Sequence, residues 1–212
     1  MRYCPRCGLG VREKDARFCP NCGATLPQPK FWERRIAWTG TLLERIIVFG
    51  VIFALCVLAT TAGALTKIDL LTARNIVDRM NKIEEVLRTT DIGVQLIFGN
   101  NLMYALGMFV PVAGPWLGFY VLYNTGVIIS AFGIIYNTNP LLVFLMLFLY
   151  PHTWMEYTAY ALAISESFWL IYAAVKHRFK DELIIMLMMV VLCNILLLAG
   201  AVVEVVMIEI LY

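Results

Sequence analysis

Positive charge is missing from a long central part of this chain. From Gly93 to Val175 there is no Lys or Arg, and the acids there are Glu156 and Glu166 alone. Charged residues make up 15% of the chain and hydrophobic residues 61%, against about a quarter charged in an ordinary soluble domain. No soluble fold needs so long a cation-free tract. A bilayer does, because a charge near its centre is costly. Histidine is also scarce, with His152 and His177, and neither belongs to the HExxH pattern that a zinc protease would use. Nor does a cleavable signal peptide fit, since the first apolar run begins near residue 46, too deep and too long for one.

What charge there is falls in blocks. All 17 Lys and Arg lie in residues 1–45, 67–92 and 176–182. The uncharged tracts Ile46–Thr66, between the first two blocks, and Leu183–Val203, after the last, each have about the ~20 residues a helix needs to cross ~30 Å of hydrocarbon. The net charge of +2 therefore caps membrane segments and forms no basic face, so no nucleic-acid partner is expected.

The fold class expected is all-α: a polytopic membrane helix bundle behind a small N-terminal module. Five crossings are read at about 46–66, 94–112, 116–136, 153–175 and 183–209. With the N-terminus in the cytosol, the basic loop from Lys176 to Lys180 falls there as well, which satisfies the positive-inside bias. A multi-pass protein of the cell membrane, in contact with lipid, follows. The block 67–92 would lie outside. Its Leu71, Ile76, Val77, Met80, Ile83 and Leu87 recur at helical spacing, which describes an amphipathic helix on the membrane or packed on the bundle, with partner docking as the alternative.

Residues 137–152 do not fit a further crossing. The apolar run from Leu141 to Pro151 covers only ~16 Å at 1.5 Å per residue. Pro151 ends it, since its ring excludes the hydrogen bond to the preceding turn. A re-entrant or interfacial half-helix is expected, and such backbone survives at membrane depth only where protein or water surrounds it. Small residues four apart, Ala59 with Gly63 and Gly114 with Gly118, let helices approach closely in lipid. Packing within the chain is their ordinary use, and a homo-oligomer, a dimer first, is a further expectation.

The N-terminal module spans residues 1–26. Cys4-Pro5-Arg6-Cys7-Gly8 and Cys19-Pro20-Asn21-Cys22-Gly23 are two CxxC knuckles, able to present Cys4, Cys7, Cys19 and Cys22 to one tetrahedral zinc ion. So short a segment buries little core, so the metal would supply its folding energy. A pair of disulfides would use the same cysteines, but doubled CxxC spacing without a signal peptide points to a reducing cytosol. Four thiolates leave no open coordination position, which directs such a zinc ribbon toward holding a protein partner. Residues 27–45 read as a linker and approach helix, with Phe31, Trp32 and Trp38 as interfacial anchors. The membrane domain is then 46–212. Cys56 and Cys193, inside apolar runs, read as small buried hydrophobes.

A polar constellation remains inside the apolar helices. Asn100-Asn101 with Ala105 and Gly107, then Gly114, then Asn124 and Gly126, and finally Pro151-His152 with Glu156 and Ala159, together resemble the membrane domain of the stage II sporulation protein M family over about residues 40–210. The family pattern runs as an Asn in one helix, an Asn-Gly in the next, and a Pro-His-Gly-x-x-Glu signature. Here Thr125 separates Asn124 from Gly126, and Thr153 follows His152. The resemblance implies kinship with a bacterial membrane component of the complex that remodels the septum during engulfment, a partner-organising role with no established catalysis. The ribbon is not part of that pattern, and a sporulation role does not come with it.

His152 and Glu156 share a helix face, and Asn100, Asn101 and Asn124 supply donors and acceptors to satisfy them. Glu204 joins the cluster if His152 lies toward the outer side, whereas Glu209 reads as an interfacial acid and Glu166 as sitting toward the cytoplasmic half. A hydrogen-bond network that staples the bundle competes with a pathway for transport, and an intramembrane hydrolase stands behind both. The expectation is a protein that is not an enzyme, a membrane scaffold or component of a membrane complex; the alternative is a small transporter or channel.

Overall fold

A computed structural model describes residues 2–11, 16–26, 40–89 and 92–211. The linker and the aromatic anchors expected at 27–38 lie outside the described residues. The chain forms two units, Met1–Ala37 and Trp38–Tyr212.

In the first unit β1 (Arg2–Tyr3) pairs antiparallel with β2 (Gly10–Val11), and a bridge joins Phe18 to Thr25. Its small core is Cys4, Val11, Cys19 and Leu26.

The described residues of the second unit form seven helices: α1 (Leu42–Ala64), α2 (Leu70–Thr89), α3 (Gly93–Met108), α4 (Ala113–Ile135), α5 (Pro140–Leu147), α6 (Pro151–Val175) and α7 (Phe179–Leu211). A capping box starts α1, in which Thr41 Oγ1 accepts from the Glu44 N–H at 3.3 Å and the Glu44 carboxylate accepts from the Thr41 N–H at 2.6 Å. The approach segment expected to reach residue 45 thus already belongs to this helix from Leu42.

Four helices, α1, α4, α6 and α7, are long and apolar enough to cross a membrane. The remaining expected crossing is α3, and its 16 residues span only ~24 Å. It stops at Met108 because Pro111 disfavours helical backbone at the residue before it. Val112 then turns the chain at φ 68°. The expected half-helix is α5, eight residues long. Asn139 caps it, accepting from the Leu141 N–H at 2.9 Å. Pro151 does not interrupt α5. It opens α6, where its missing N–H costs nothing, and it holds Tyr150 extended (φ −95°, ψ 128°) as a pre-proline residue should be.

The packing suits lipid. Large side chains point outward, among them Leu42, Ile46, Ile47 and Leu58 of α1 and Ile195 of α7. The middle of α6 is buried on nearly all sides, by small residues (Ala159, Ala161, Ala163, Ser165, Ser167) together with Tyr157, Tyr160, Ile164 and Leu170. Small residues let backbones meet where no hydrophobic drive separates helix from solvent. At the crossing of α1 on α4, Gly63 lies against the Tyr123 carbonyl and Gly126 against that of Thr60. Gly114 abuts the Met108 carbonyl and Gly118 abuts Ile164, so these small residues are taken up within the chain. Outside the four long helices, α2 packs Ala73 and Val77 on Ala131 of α4.

Candidate metal centre and intramembrane polar sites

Both knuckles of the first unit have one backbone pattern. The Cys4 N–H donates to Leu9 O (2.9 Å) and the Gly8 N–H to Cys4 O (2.9 Å). Likewise the Cys19 N–H donates to Ala24 O (2.8 Å) and the Gly23 N–H to Cys19 O (2.9 Å). Gly8 and Gly23 close these turns at φ +71° and +67°, a conformation cheap only for glycine. The four Sγ atoms all lie within 4.8 Å of one another. Cys4 Sγ is 3.5 Å from Cys22 Sγ, and Cys7 Sγ is 3.6 Å from Cys19 Sγ. A tetrahedral ion with metal–sulfur bonds of about 2.3 Å sets its sulfurs about 3.8 Å apart, so the thiols fit a metal ion. Backbone donors favour the thiolate form that a metal needs. The Leu9 N–H, foremost, pulls the Cys7 thiol down to about 6. The Cys7 N–H, foremost, lowers Cys4.

Within the helical unit, Asn101 and Glu156 meet: Asn101 Nδ2 of α3 donates to Glu156 Oε1 of α6 at 2.6 Å. Glu204 of α7 lies within electrostatic reach of Glu156, and Gly200 lets α7 approach the same turn of α6. Asn100 is exposed and donates to Asn101 Oδ1 at 3.3 Å. Two expected members stand apart. Asn124 Nδ2 donates to Tyr120 O at 2.7 Å, inside its own helix. His152 stacks on Tyr150, with centroids 5.7 Å apart, and its buried Nδ1 has no hydrogen-bond partner among the described residues. Sharing a face with Glu156 therefore does not join the two side chains.

The sequence pattern shows nothing of a second centre at the other end of α6. Arg45 of α1 donates through Nη1 to Glu166 Oε1 of α6 at 2.9 Å and through Nη2 to Glu182 Oε1 of α7. The three are 6%, 4% and 0% exposed. The Arg45 guanidinium also lies over the Trp169 ring, 4.7 Å from its centroid. By sequence Arg45 is one more cation ahead of an apolar run, and Glu182 one more charge beside a basic loop. The one available signal is that Glu166 needs a partner wherever it is buried. A third link, Tyr157 OH donating to Thr60 Oγ1 at 2.7 Å, ties α6 to α1 between the two centres.

The family model for stage II sporulation protein M matches residues 45–207. The chain belongs to this family. The match begins at Arg45 and contains Asn101, Glu156, Glu166, Glu182 and Glu204, so both intramembrane centres lie within the stage II sporulation protein M region, while the four-cysteine unit precedes it. No curated protein and no solved structure matches the chain.

Proposed function

We propose that this is a multi-pass protein of the cell membrane with its N-terminal unit in the cytosol, acting without catalysis as a scaffold or component of a membrane complex. The metal at Cys4, Cys7, Cys19 and Cys22 is zinc, which takes four thiolates in a closed tetrahedral site. The observation that carries the reading is that closure. All four sulfurs face one point, which leaves room for a shape-holding ion and none for a substrate at the metal. The ribbon then serves as the module that holds a protein partner, and the helical unit keeps it at the lipid surface. The intramembrane links support this role by acting from helix to helix, Asn101 to Glu156 and Tyr157 to Thr60. The placement of Gly63, Gly114 and Gly118 against atoms of their own chain leaves a dimer less to draw on.

Native gel electrophoresis of solubilised host membranes tests the proposal. The wild-type chain should migrate in an assembly larger than itself, and Cys4→Ser should release it while leaving it in the membrane fraction. Migration unchanged by Cys4→Ser would sink the scaffold reading. The second reading, transport, is favoured by two acids, Glu156 and Glu204, held together among apolar helices. An ion flux in liposomes that Glu156→Gln abolishes would establish it instead.

A further inference from the structure

The Arg45 centre is short of positive charge. Among the described residues it sets one guanidinium against two carboxylates, all three buried. Each carboxylate spends one oxygen on Arg45. The others, Glu166 Oε2 and Glu182 Oε2, are buried and have no hydrogen-bond partner among the described residues. An ionised oxygen stripped of water and left unpaired is expensive, and buried ion groups persist only where charge and hydrogen bonds are both satisfied. A neutral pair of Arg45 with either acid would meet that condition. The second acid breaks it unless a further positive charge arrives. Trp169, which covers the guanidinium, also lines a cavity of about 340 Å³ with Glu44, Val48, Phe168 and Tyr172, so one side chain is shared by the buried charges and an open space.

We propose that the Arg45–Glu166–Glu182 centre is a binding site for one small monovalent cation, a proton or an alkali ion, held at the free oxygens of Glu166 and Glu182. The chemistry is the same for either: one positive charge at a carboxylate oxygen, restoring neutrality to a buried cluster to which the described residues give a net charge of −1. The site is separate from the Asn101–Glu156–Glu204 centre and does not depend on the scaffold reading. Its consequence is mechanical, because Arg45 joins α1 to both α6 and α7. An occupied site holds the three helices together, and an empty one sets two carboxylates in repulsion across the same junction.

Among the described residues, the ionisable groups at the pair are Arg45 from α1, bonded to both acids, and Cys193 from α7, within electrostatic reach of Glu166; Glu44 lines the neighbouring cavity and accepts from the Thr41 N–H. The α3–α4 turn contributes a neutral link, Ser167 Oγ donating to Val110 O at 2.9 Å. The test is thermal unfolding of the full chain in detergent micelles, at stepped pH, in choline chloride, sodium chloride or potassium chloride. If the ligand is a proton, wild type should lose several degrees of midpoint temperature as pH rises, in all three salts. If it is an alkali ion, sodium or potassium should restore at high pH what choline does not. In both cases Glu182→Gln, which keeps the shape and removes the excess charge, should abolish the dependence. Titration of the ribbon, shared by variant and wild type, cancels in their difference. Should Glu182→Gln fail to fold, Glu166→Gln serves the same comparison. Infrared difference spectra of wild type alone, between low and high pH, should show a protonated-carboxyl band in the proton case; in the alkali case, replacing choline by sodium or potassium should shift the carboxylate bands. Wild-type unfolding indifferent to both pH and alkali ion would overturn the site, as would a dependence that survives in Glu166→Gln and Glu182→Gln alike.

Discussion

Asn101 and Glu156, 55 residues apart in sequence, are joined by a 2.6 Å hydrogen bond from α3 to α6. An amide is a suitable partner for an acid in an apolar setting, because it can donate to a carboxylate or accept from a carboxylic acid. The link thus survives a change in the charge of Glu156.

That adaptability gives a first prediction. Glu156→Gln should unfold close to wild type in detergent, since a side-chain amide still pairs with Asn101. Asn101→Leu leaves the acid without its partner and should cost about 1–2 kcal/mol, as helix-to-helix polar links in membranes do. A double-mutant cycle with Glu156→Leu should return a coupling of at least about 0.5 kcal/mol. Strictly additive losses would show that the two side chains do not interact.

Two glycines should respond in opposite ways. A Cβ on Gly126 would overlap the Thr60 carbonyl and come within 2.6 Å of the Ala64 nitrogen, whereas one on Gly50 meets nothing within 4 Å. Gly126→Ala must push α1 and α4 apart, at a cost of about 1–3 kcal/mol. Gly50→Ala should be neutral or stabilising by up to about 1 kcal/mol, from helix propensity. Midpoint temperatures of the two variants check both. A tolerated Gly126→Ala would mean that the α1–α4 crossing is looser than described.

Asp69 caps α2. Its Oδ1 accepts from the Thr72 N–H at 2.9 Å, and its Oδ2 from the Thr72 hydroxyl at 2.6 Å. These bonds favour the ionised form, so the Asp69 carboxyl titrates below its usual range, with the Thr72 side chain the foremost cause. A folded-state value below the unfolded one gives stability that is complete above the ordinary aspartate range and lost as pH falls through the depressed value. Protection of the first-turn amides of α2, corrected for their intrinsic exchange rates, should therefore fall in acid. Asp69→Ala should lower that protection near neutral pH and remove the acid dependence, and an unchanged acid response would exclude Asp69 as its source.

Removing the metal should unfold the N-terminal unit and spare the rest. Its described core is four residues, two of them the candidate ligands Cys4 and Cys19, so a bound ion would supply most of its folding energy. Elemental analysis should find one zinc per chain, and none after Cys4→Ser with Cys22→Ser. A strong chelator should make the first 26 residues protease-sensitive while the midpoint temperature of the helical unit stays put. Resistance of that segment to both treatments would show that it folds without metal.

Much of this was legible beforehand, for local reasons. The short apolar run after Asn139 and the break at Pro151 follow from neighbouring residues. In the sequence, however, Pro151 reads as the end of that run, and the structure makes it the start of α6, since a proline reads equally as an end or a beginning until the helix that uses it is known. The length of α3 was less legible, because hydropathy continues past Met108 while the backbone turns at Pro111 and Val112. Among the polar residues, Asn101 meets Glu156 while Asn124 bonds within its own helix. Both sit in apolar helices, and nothing in the spacing tells which way each helix is rotated.

The chain's order of residues alone determined that its helices are built for lipid and that four cysteines can share one ion. Charge distribution and knuckle spacing act over a few turns of backbone, where periodicity and distance along the chain fix the outcome. Only the tertiary structure decided that Arg45 would lie between Glu166 and Glu182, across separations of 121 and 137 residues. Such a meeting depends on which helices are neighbours and on the rotation of each about its axis, and these are set by the packing of small residues against backbone throughout the bundle.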